Sequence, residues 1–524
     1  MTIRHKTYSN LYRDSVALMR LSSDLTNLPG IVQASVVMAT AANLALLAEA
    51  GLTDGPIDVS PDKLLIVIDG KDEATIDAAM TVAETALTSA PAAIMDGEGR
   101  PAIRPKSIAM AAGAAGAAGT AETATLALIS TPGDYAASEA LKALRLGLNV
   151  MIFSDNVSLD DEIMLKQVGK ASNLLVMGPD CGTAIINGVP LGFANEVRQG
   201  HIGIVAASGT GLQQVCCLID RYGKGVSQAI GTGGRDLRTE VGGITMSQGL
   251  AALAEDPETS VIVLLSKPPA PDVAARIIAE AIAARKPVVI NFLGAAAGQI
   301  SGDNIFAAPT LAHAARTAVA IANGDSPGEA GQPEGDMSRA AAASDRLAPD
   351  QRYIRGLFSG GTFCYEAVML LHDAVGDVWS NTPREAGYLL TDIWSSQGHT
   401  IIDLGADDFT RGRPHPMIDH RLRNDRLIIE ADDPETAVIL FDVVLGHGAH
   451  PDPAEAMLPA IEAARKSVSA AGRDIVFIGS VCGTEQDPQS LSRQEKRLQD
   501  AGVLLAESNA AAARLAISVL EQIK

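Results

Sequence analysis

Aromatic side chains are scarce in this chain, at 3% of 524 residues with two tryptophans. The apolar fraction is nevertheless 47%, carried largely by alanine and aliphatic stretches, and glycine is abundant at 49 residues. This composition is typical of α/β proteins, in which small helical residues cover both faces of a parallel sheet. A chain of this length is too long for one hydrophobic core, so we expect about two to four domains.

Basic runs are also missing from the sequence. Lysine and arginine number 41 against 62 acidic residues, which gives a net charge of −21. Nucleic-acid binding needs clustered cations along the phosphate backbone, so we expect no nucleic-acid partner. The acidity is the ordinary surface charge of a protein that stays dissolved.

Cysteine pairs and membrane segments are lacking as well. The five cysteines are an odd number without CxxC spacing, which predicts neither a disulfide framework nor a zinc site. The N-terminal stretch MTIRHKTYSNLYRDSVALMRL has no apolar signal-peptide core, and no run of about 18 uncharged apolar residues occurs. We therefore expect a cytoplasmic protein with no membrane partner.

Strand-like and helix-like patterns alternate along most of the chain. The N-terminal part fits a ferredoxin-like α/β domain, and repeated βαβ units follow, which predict parallel sheets. Two stretches rich in small and polar residues interrupt the pattern and are interpreted as linkers. The predicted segments are a ferredoxin-like domain (1–95), a linker (96–123), a first run of βαβ units (124–198), a parallel-sheet module (199–323), a second linker (324–350) and a second parallel-sheet module (351–524).

The two parallel-sheet modules share a sequence pattern. AEDPETSVIVLL at Ala254–Leu265 is matched by ADDPETAVILFD at Ala431–Asp442, and the turn Ser208–Thr210 is matched by Gly360–Thr362. The matching segments occur in the same order in both halves. We infer an internal duplication.

The matching turns are the strongest candidates for a binding site. Each follows an apolar strand and begins a helix, where free N–H groups and the positive end of the helix dipole favour an anion. Small residues could instead do no more than pack the helix closely against its sheet. The candidate phosphate- or carboxylate-binding residues are Ser208, Gly209, Thr210, Gly360, Gly361 and Thr362.

Two further glycine-rich turns follow predicted strands, at the end where open parallel sheets bind ligands. In these turns Gly233, Gly234, Arg235 and Asp180 are candidate binding residues. For Asp180 an Asx turn after a proline is an equally good interpretation. Cys181 is better explained as a small residue in a tight turn than as a nucleophile.

Two polar insertions distinguish the second module. RGRPHPMID supplies Arg411 and Arg413 as candidate carboxylate- or phosphate-binding residues and His415 as a candidate catalytic residue. LGHGAHPD supplies His447 as a second candidate for acid–base catalysis. An exposed loop without a role is the alternative. A metal held by His447, His450 and Asp452 is not expected, because a glycine-rich loop is a poor frame for a metal centre.

These motifs resemble a known family. MGPDCGTAI, GIVAASGTGLQQV, GTGGRDL, EDPETSVIVLL and KPVVINFLG resemble, in this order, the α subunit of succinyl-CoA synthetase. With NLYRDSVALMRLS, LPGIVQASVVMAT and RPHPMIDHRLRND, nearly the whole chain resembles the FdrA family. The resemblance implies that 124–198 is a Rossmann-like domain of the CoA-binding type. It also implies that 199–323 and 351–524 are duplicated flavodoxin-like, succinyl-CoA-synthetase-like modules.

The resemblance also implies a function. FdrA-like proteins resemble a subunit of oxamate carbamoyltransferase, which implies transfer of a carbamoyl group between oxamate and phosphate in ureide and purine nitrogen breakdown. Succinyl-CoA synthetase carries a phosphohistidine after its KPVV strand, whereas this chain has FLGAAAGQISGDN there. The alternatives are an NDP-forming acyl-CoA synthetase and a non-catalytic scaffold subunit. Expected ligands are small carboxylates with phosphate, carbamoyl phosphate or CoA, and expected partners are other subunits encoded nearby.

Overall fold

The computed structural model describes residues 2–9, 11–13, 15–53, 55, 57–88, 105–117, 124–296, 298–327, 337–410 and 413–523. They form two compact units. The first unit comprises Met1–Pro179 and Asp407–Ile418, and the second comprises Asp180–Ala406 and Asp419–Lys524. No helix in the described ranges is both long enough and apolar enough to span a membrane.

The N-terminal part of the first unit is a three-stranded antiparallel sheet covered by helices. Its elements are β1 (Thr2–Tyr8), α1 (Ser15–Thr26), β2 (Ile31–Met38), α2 (Ala41–Glu49), β3 (Leu64–Gly70) and α3 (Glu73–Thr88). The strand order is β1-β3-β2, and α1 and α3 pack apolar side chains such as Leu25 and Ile76 against Ile66 and Ile68. This arrangement confirms the predicted ferredoxin-like domain.

A small parallel sheet follows in the same unit. Its elements are α4 (Ile108–Ala117), β4 (Leu126–Ile129), α5 (Gly133–Arg145), β5 (Asn149–Ile152), α6 (Leu159–Ala171) and β6 (Val176–Met177). The strands run in the order β4-β5-β6 and all neighbours are parallel. This is the Rossmann-like pattern of strands joined by helical crossovers.

The first module of the second unit has a seven-stranded sheet. Its elements are β7 (Thr183–Ile186), β8 (Val189–Gly192), β9 (Gln199–Ala207), α7 (Gly209–Arg221), β10 (Val226–Gly231), α8 (Ile244–Glu255), β11 (Val261–Ser266), α9 (Pro271–Ala283), β12 (Val288–Phe292), β13 (Ile305–Ala307) and α10 (Leu311–Asn323). The strand order is β13-β12-β11-β9-β10-β7-β8. The hairpin β7–β8 joins this sheet through β10, so the unit begins at Asp180 and not near the predicted boundary at residue 198.

The second module has a six-stranded parallel sheet. Its elements are α11 (Met337–Ser344), β14 (Tyr353–Phe358), α12 (Gly361–Val375), β15 (Val378–Trp379), a short 3-10 helix (Ala386–Tyr388), β16 (His399–Asp403), α13 (Asp407–Thr410, part of the first unit), α14 (Arg421–Asp432), β17 (Thr436–Val444), α15 (Pro453–Ala470), β18 (Val476–Cys482), α16 (Leu491–Asp500), β19 (Leu504–Ala506) and α17 (Asn509–Glu521). The strand order is β15-β16-β14-β17-β18-β19.

The two modules have the same strand order once their extra edge strands are set aside. β10-β9-β11-β12-β13 and β16-β14-β17-β18-β19 are both the flavodoxin-like order 2-1-3-4-5. Each DPET segment leads into the third strand, β11 or β17, and both of these strands are buried along their whole length. The predicted duplication of flavodoxin-like domains is therefore visible in the topology.

Each predicted linker contains a helix. Helix α4 lies within 96–123, and α11 lies within 324–350. Both sequences are rich in alanine, which has the highest intrinsic helix propensity. This propensity exceeds the unfavourable effect of the glycine and serine residues on helix formation. The remaining parts of these linkers at 96–104, 118–123 and 328–336 lie outside the described residues.

Candidate functional site

The two predicted turns meet at one point. Ser208 immediately precedes α7 and Thr362 lies in the first turn of α12, and their hydroxyl oxygens are 2.6 Å apart. A Cβ atom added at Gly360 would lie 3.0 Å from both Thr210 Oγ1 and Thr210 Cγ2. The close approach of the two turns therefore favours glycine at position 360. The duplication brings the N-termini of α7 and α12 together.

The two turns are held by different groups. Ser208 caps α7, because its Oγ accepts a hydrogen bond from Gly211 N at 3.0 Å. Gly360 has no side chain to cap α12. Asp442 of β17 fixes this turn instead, because its carboxylate accepts hydrogen bonds from Ser359 N at 2.7 Å and from Gly360 N at 3.0 Å.

Lys267 adds positive charge at the start of α12. A Cβ atom added at Gly361 would lie 3.2 Å from Lys267 Nζ and 2.6 Å from Asp403 Oδ2. Within the described part of the chain the Lys267 ammonium makes no hydrogen bond or ion pair. An unpaired ammonium beside two helix N-termini makes the site suitable for an anion, with Asp403 as the opposing carboxylate.

Lys267 and Asp403 were missed from the sequence. Both occupy the carboxyl ends of parallel strands, Lys267 directly after β11 and Asp403 at the end of β16. Ligands bind at that edge of open sheets, so the position of SKPP and IIDLG at the ends of predicted strands is the signal that could have identified these two residues.

His447 forms a pair with a carboxylate of the first module. Its Nε2 lies 2.7 Å from Glu196 Oε1, and both side chains are about two-fifths exposed at 42% and 39%. The main-chain N–H of His447 donates to Ala194 O at 3.0 Å. This arrangement suits a histidine that exchanges protons, because the carboxylate orients the ring and selects its tautomer.

The loop that carries Glu196 is attached to α7. Gln213 of α7 donates to Phe193 O and, at 3.1 Å, to Asn195 Oδ1. Asn195 donates in turn to the Asp487 carboxylate at 2.8 Å. Burial raises the pKa of Asp487, while hydrogen bonds from Asn195 and the main chain oppose the shift. The His447–Glu196 pair therefore lies in a hydrogen-bonded loop fixed to one of the two paired helices.

The other predicted catalytic residue, His415, belongs to the first unit. It is half-buried, and its Nδ1 accepts from Met417 N at 3.2 Å. Arg413 is exposed in the same unit, and Arg411 lies outside the described residues. The structure therefore assigns His415 and Arg413 to the first unit and His447 to the second.

The glycine-rich turns at 180 and 233–235 have structural explanations. Asp180 is exposed and adopts a left-handed conformation with φ 54°, as an Asx turn allows. After Gly233 and Arg235, the buried Asp236 accepts from Met246 N at 2.9 Å. That carboxylate binds main-chain N–H groups at the start of α8, and the binding role of Gly233, Gly234 and Arg235 stays a prediction.

No group of three or more potential metal ligands occurs among the described residues. His450 Nδ1 accepts from Asp452 N at 3.0 Å, and the Asp452 carboxylate pairs with Arg497. Cys181 is buried and packs its sulfur against Thr183 O and Gly231 O, as expected of a small turn residue.

Comparison with known proteins assigns the chain to a family. Over 510 residues it is 42% identical to the uncharacterized protein YahF of Escherichia coli strain K12, covering 97% of each chain. The chain belongs to the FdrA family. Three family models match parts of it: "AllF, heavy metal-associated domain" at 1–102, "CoA binding domain" at 197–294 and "CoA-ligase" at 357–519.

More distant relatives of this FdrA-family chain are CoA ligases. It is 29% identical to the succinate–CoA ligase [ADP-forming] subunit α of Aquifex aeolicus over 146 residues, which is 27% of this chain and 47% of the relative. Among solved structures, a dinucleotide-forming acetyl-coenzyme A synthetase 1 of Ca. Korarchaeum cryptofilum aligns over 77% of this chain and 84% of that one, with 14% identity and a TM-score of 0.31. The matches to the CoA-binding and CoA-ligase family models show that the FdrA-family chain has an acyl-CoA-synthetase-like fold.

The matched heavy-metal-associated domain does not fit a thiolate metal centre in this chain. The first cysteine of the sequence is Cys181, far outside residues 1–102, and His5 is the only histidine within them. On β1 the side chain of His5 is exposed. No metal-dependent step is therefore assigned to this domain.

Proposed function

We propose that this FdrA-family chain catalyses a phosphate-dependent acyl transfer of the acyl-CoA synthetase type. In this proposal the phosphoryl group lies between the N-termini of α7 and α12. The observation that supports it most directly is the 2.6 Å contact between Ser208 and Thr362, which directs two helix N-termini at one place. The matches to CoA-binding and CoA-ligase families support CoA as the acyl acceptor.

The helix ends and the charged side chain around this place would have different roles in the reaction. The N–H groups at the two helix ends would bind phosphoryl oxygens, and Lys267 would neutralise charge on the leaving phosphate. Transfer requires an acyl phosphate whose carbonyl is attacked by the acceptor thiolate, so that the C–S bond forms as the C–O bond to phosphate breaks. The acceptor must first lose a proton.

His447 is suited to take that proton. Glu196 contacts Nε2 at 2.7 Å, and a proton held on Nε2 by the carboxylate leaves the lone pair on Nδ1. The ring can then accept a proton at Nδ1, while the neighbouring carboxylate stabilises the imidazolium that forms. His447 and Glu196 would act as a base and its orienting group.

Carbamoyl transfer between oxamate and phosphate is a second candidate. It is favoured by one observation, the segment FLGAAAGQISGDN after β12, which has no histidine where the resemblance to succinyl-CoA synthetase implies a phosphohistidine. In that reaction inorganic phosphate would be a substrate at the same paired helix ends. Other subunits encoded nearby would then supply further parts of the enzyme.

Phosphate binding to the full-length chain tests the shared core of both candidates. We expect calorimetry to show binding of inorganic phosphate to the unaltered protein, weakened about tenfold or more by Lys267→Met. Gly361→Ala should also weaken it, because the new methyl group displaces Lys267 and Asp403. Matched controls are Lys170→Met, at an exposed lysine, and Gly387→Ala, where a Cβ meets nothing within 4 Å. Equal phosphate affinity in all five proteins would refute the site.

Product analysis separates the two candidates. The purified chain, alone and with proteins encoded beside its gene, is incubated with ATP, CoA and a panel of carboxylic acids, or with oxamate and phosphate. Acyl-CoA formation supports the synthetase, and carbamoyl phosphate formation supports the transferase. Absence of both products from the reconstituted mixture would leave a scaffold subunit and contradict the proposal.

A further inference from the structure

A buried charge network lies directly behind the start of α12. Arg423 on α14 and Asp442 on β17 are both fully buried, and Arg423 Nη1 lies 3.1 Å from Asp442 Oδ1 and 2.5 Å from Asp442 O. The carboxylate also binds the turn, accepting from Ser359 N and Ser359 Oγ at 2.7 Å each and from Gly360 N at 3.0 Å. Three elements of the second module therefore meet at one carboxylate.

His420 extends the network on the far side of Arg423. Arg423 Nη2 lies 2.7 Å from His420 Nδ1, and the His420 ring is 5.3 Å from the His450 ring. Burial, with help from Arg423, lowers the pKa of His420 well below its usual value. The imidazole is thus a neutral acceptor and does not compete with Asp442 for the guanidinium charge.

Among the described residues, the first module has no equivalent of this network. Aligning the two DPET strands places Leu265 at the position of Asp442, and Ala207 precedes Ser208 where Ser359 precedes Gly360. The first module instead caps α7 with the Ser208 side chain. Because Gly360 has no side chain to do this, the second module needs another group to fix its turn.

A carboxylate in that place creates an electrostatic problem. Asp442 Oδ2 is 3.0 Å from Gly360 N, one residue before α12, and would repel an anion bound at the helix N-terminus. A buried guanidinium in contact with the same carboxylate cancels that charge. Such a pair can fix backbone geometry without lowering anion affinity.

We propose that Asp442 and Arg423 are positioning residues for the phosphate site. Asp442 holds Ser359 and Gly360 in place, so that α12 begins where Thr362 contacts Ser208. Arg423 removes the repulsion that the Asp442 carboxylate would exert on phosphate. The inference rests on the proposed function, since it concerns the same paired helix ends.

The test is a charge rescue measured by calorimetry with inorganic phosphate on full-length protein. Arg423→Met leaves an uncompensated carboxylate and should weaken phosphate binding by about thirtyfold or more. Arg423→Met combined with Asp442→Asn removes both charges and should recover at least about threefold of that loss. Arg423→Lys keeps the charge but loses the two-nitrogen contact, and should lie between unaltered protein and Arg423→Met.

A buried ion pair elsewhere in the module provides the control for stability. Glu430 contacts Arg355 at 3.1 Å and Arg426 at 2.6 Å, and its side chain is 4% exposed. Glu430→Gln should lower thermal stability but leave phosphate affinity within about twofold. If Arg423→Met and the double variant bind phosphate equally, or if Glu430→Gln weakens binding as much, the positioning role is wrong. If unaltered protein binds no phosphate, the proposed function itself fails, which is a separate outcome.

Discussion

At the scale of single residues, burial changes the acid–base chemistry of several histidines. His399 begins β16, and its Nδ1 accepts a hydrogen bond from Ile354 N at 3.2 Å. Burial, and secondarily the charge of Arg355, lowers the pKa of His399 to about 4. In the unfolded chain the pKa of the same ring is about 6.5.

This difference predicts acid sensitivity. Between about pH 6.5 and about pH 4 the unfolded chain binds a proton that the folded protein does not bind. The free energy of unfolding is therefore highest above about pH 6.5 and falls as the pH drops towards about 4. The loss amounts to at most about 3 kcal/mol. His399→Asn keeps an acceptor near Ile354 N without a titrating ring, so thermal unfolding should change less between pH 7 and pH 5 than in the unaltered protein. His5→Asn, at an exposed histidine, should leave the pH dependence as it is; a His399→Asn profile identical to the original would contradict the assignment.

At the scale of secondary-structure elements, one carboxylate links three helices. Glu366 of α12 is fully buried. Its carboxylate accepts hydrogen bonds from Leu311 N of α10 and from Asn509 Nδ2 of α17, each at 2.8 Å. It lies at the N-termini of both helices, where a negative charge is favourable. Burial raises the pKa of Glu366, and these hydrogen bonds oppose the shift.

Removing this carboxylate should loosen the contact between modules. Glu366→Ala leaves Leu311 N and Asn509 without their acceptor, and we expect a loss of about 1–3 kcal/mol. Differential scanning calorimetry should show the transition of the second unit lowered by about 2–4 °C per kcal/mol. Glu462→Ala, at an exposed position of α15, should shift it far less. Equal shifts in the two variants would show that Glu366 does not join the modules.

At the scale of the whole molecule, the two modules of the second unit behave as partners. Beyond the Ser208–Thr362 and Glu366 contacts, Asn195 donates to Leu445 O at 3.0 Å, and Thr484 Oγ1 donates to Glu196 O at 2.5 Å. Buried contacts of this kind across a duplicated interface resemble those of a permanent dimer.

A split chain tests this interpretation. If the chain is divided within 328–336, which lies outside the described residues, the two co-expressed fragments should purify as one complex by size-exclusion chromatography. The same fragments carrying Glu366→Ala should separate more readily on dilution. Fragments that never associate, although each is folded by circular dichroism, would contradict a stable interface.

Much of the fold could be predicted because it is written in local patterns. Hydrophobic periodicity, helix-ending glycines and the repeated DPET strands indicated the ferredoxin-like domain, the parallel sheets and the duplication, since these depend on neighbours in the chain. The Ser208 and Gly360 turns were found for the same reason. The helices within the two predicted linkers were missed because small and polar residues masked alanine's helix propensity.

The sequence by itself determined the strands, the turns and the family, whereas only the tertiary structure decided which turns and charges meet. Nothing local pairs Ser208 with Thr362 or Glu196 with His447, because each pair joins elements that are distant along the chain. Arg423 meets Asp442 only because α14 packs against β17. Sheet order and module packing bring them together. The same tertiary constraint left His415 in one unit and His447 in the other, although both belong to the polar insertions of a single module in the sequence.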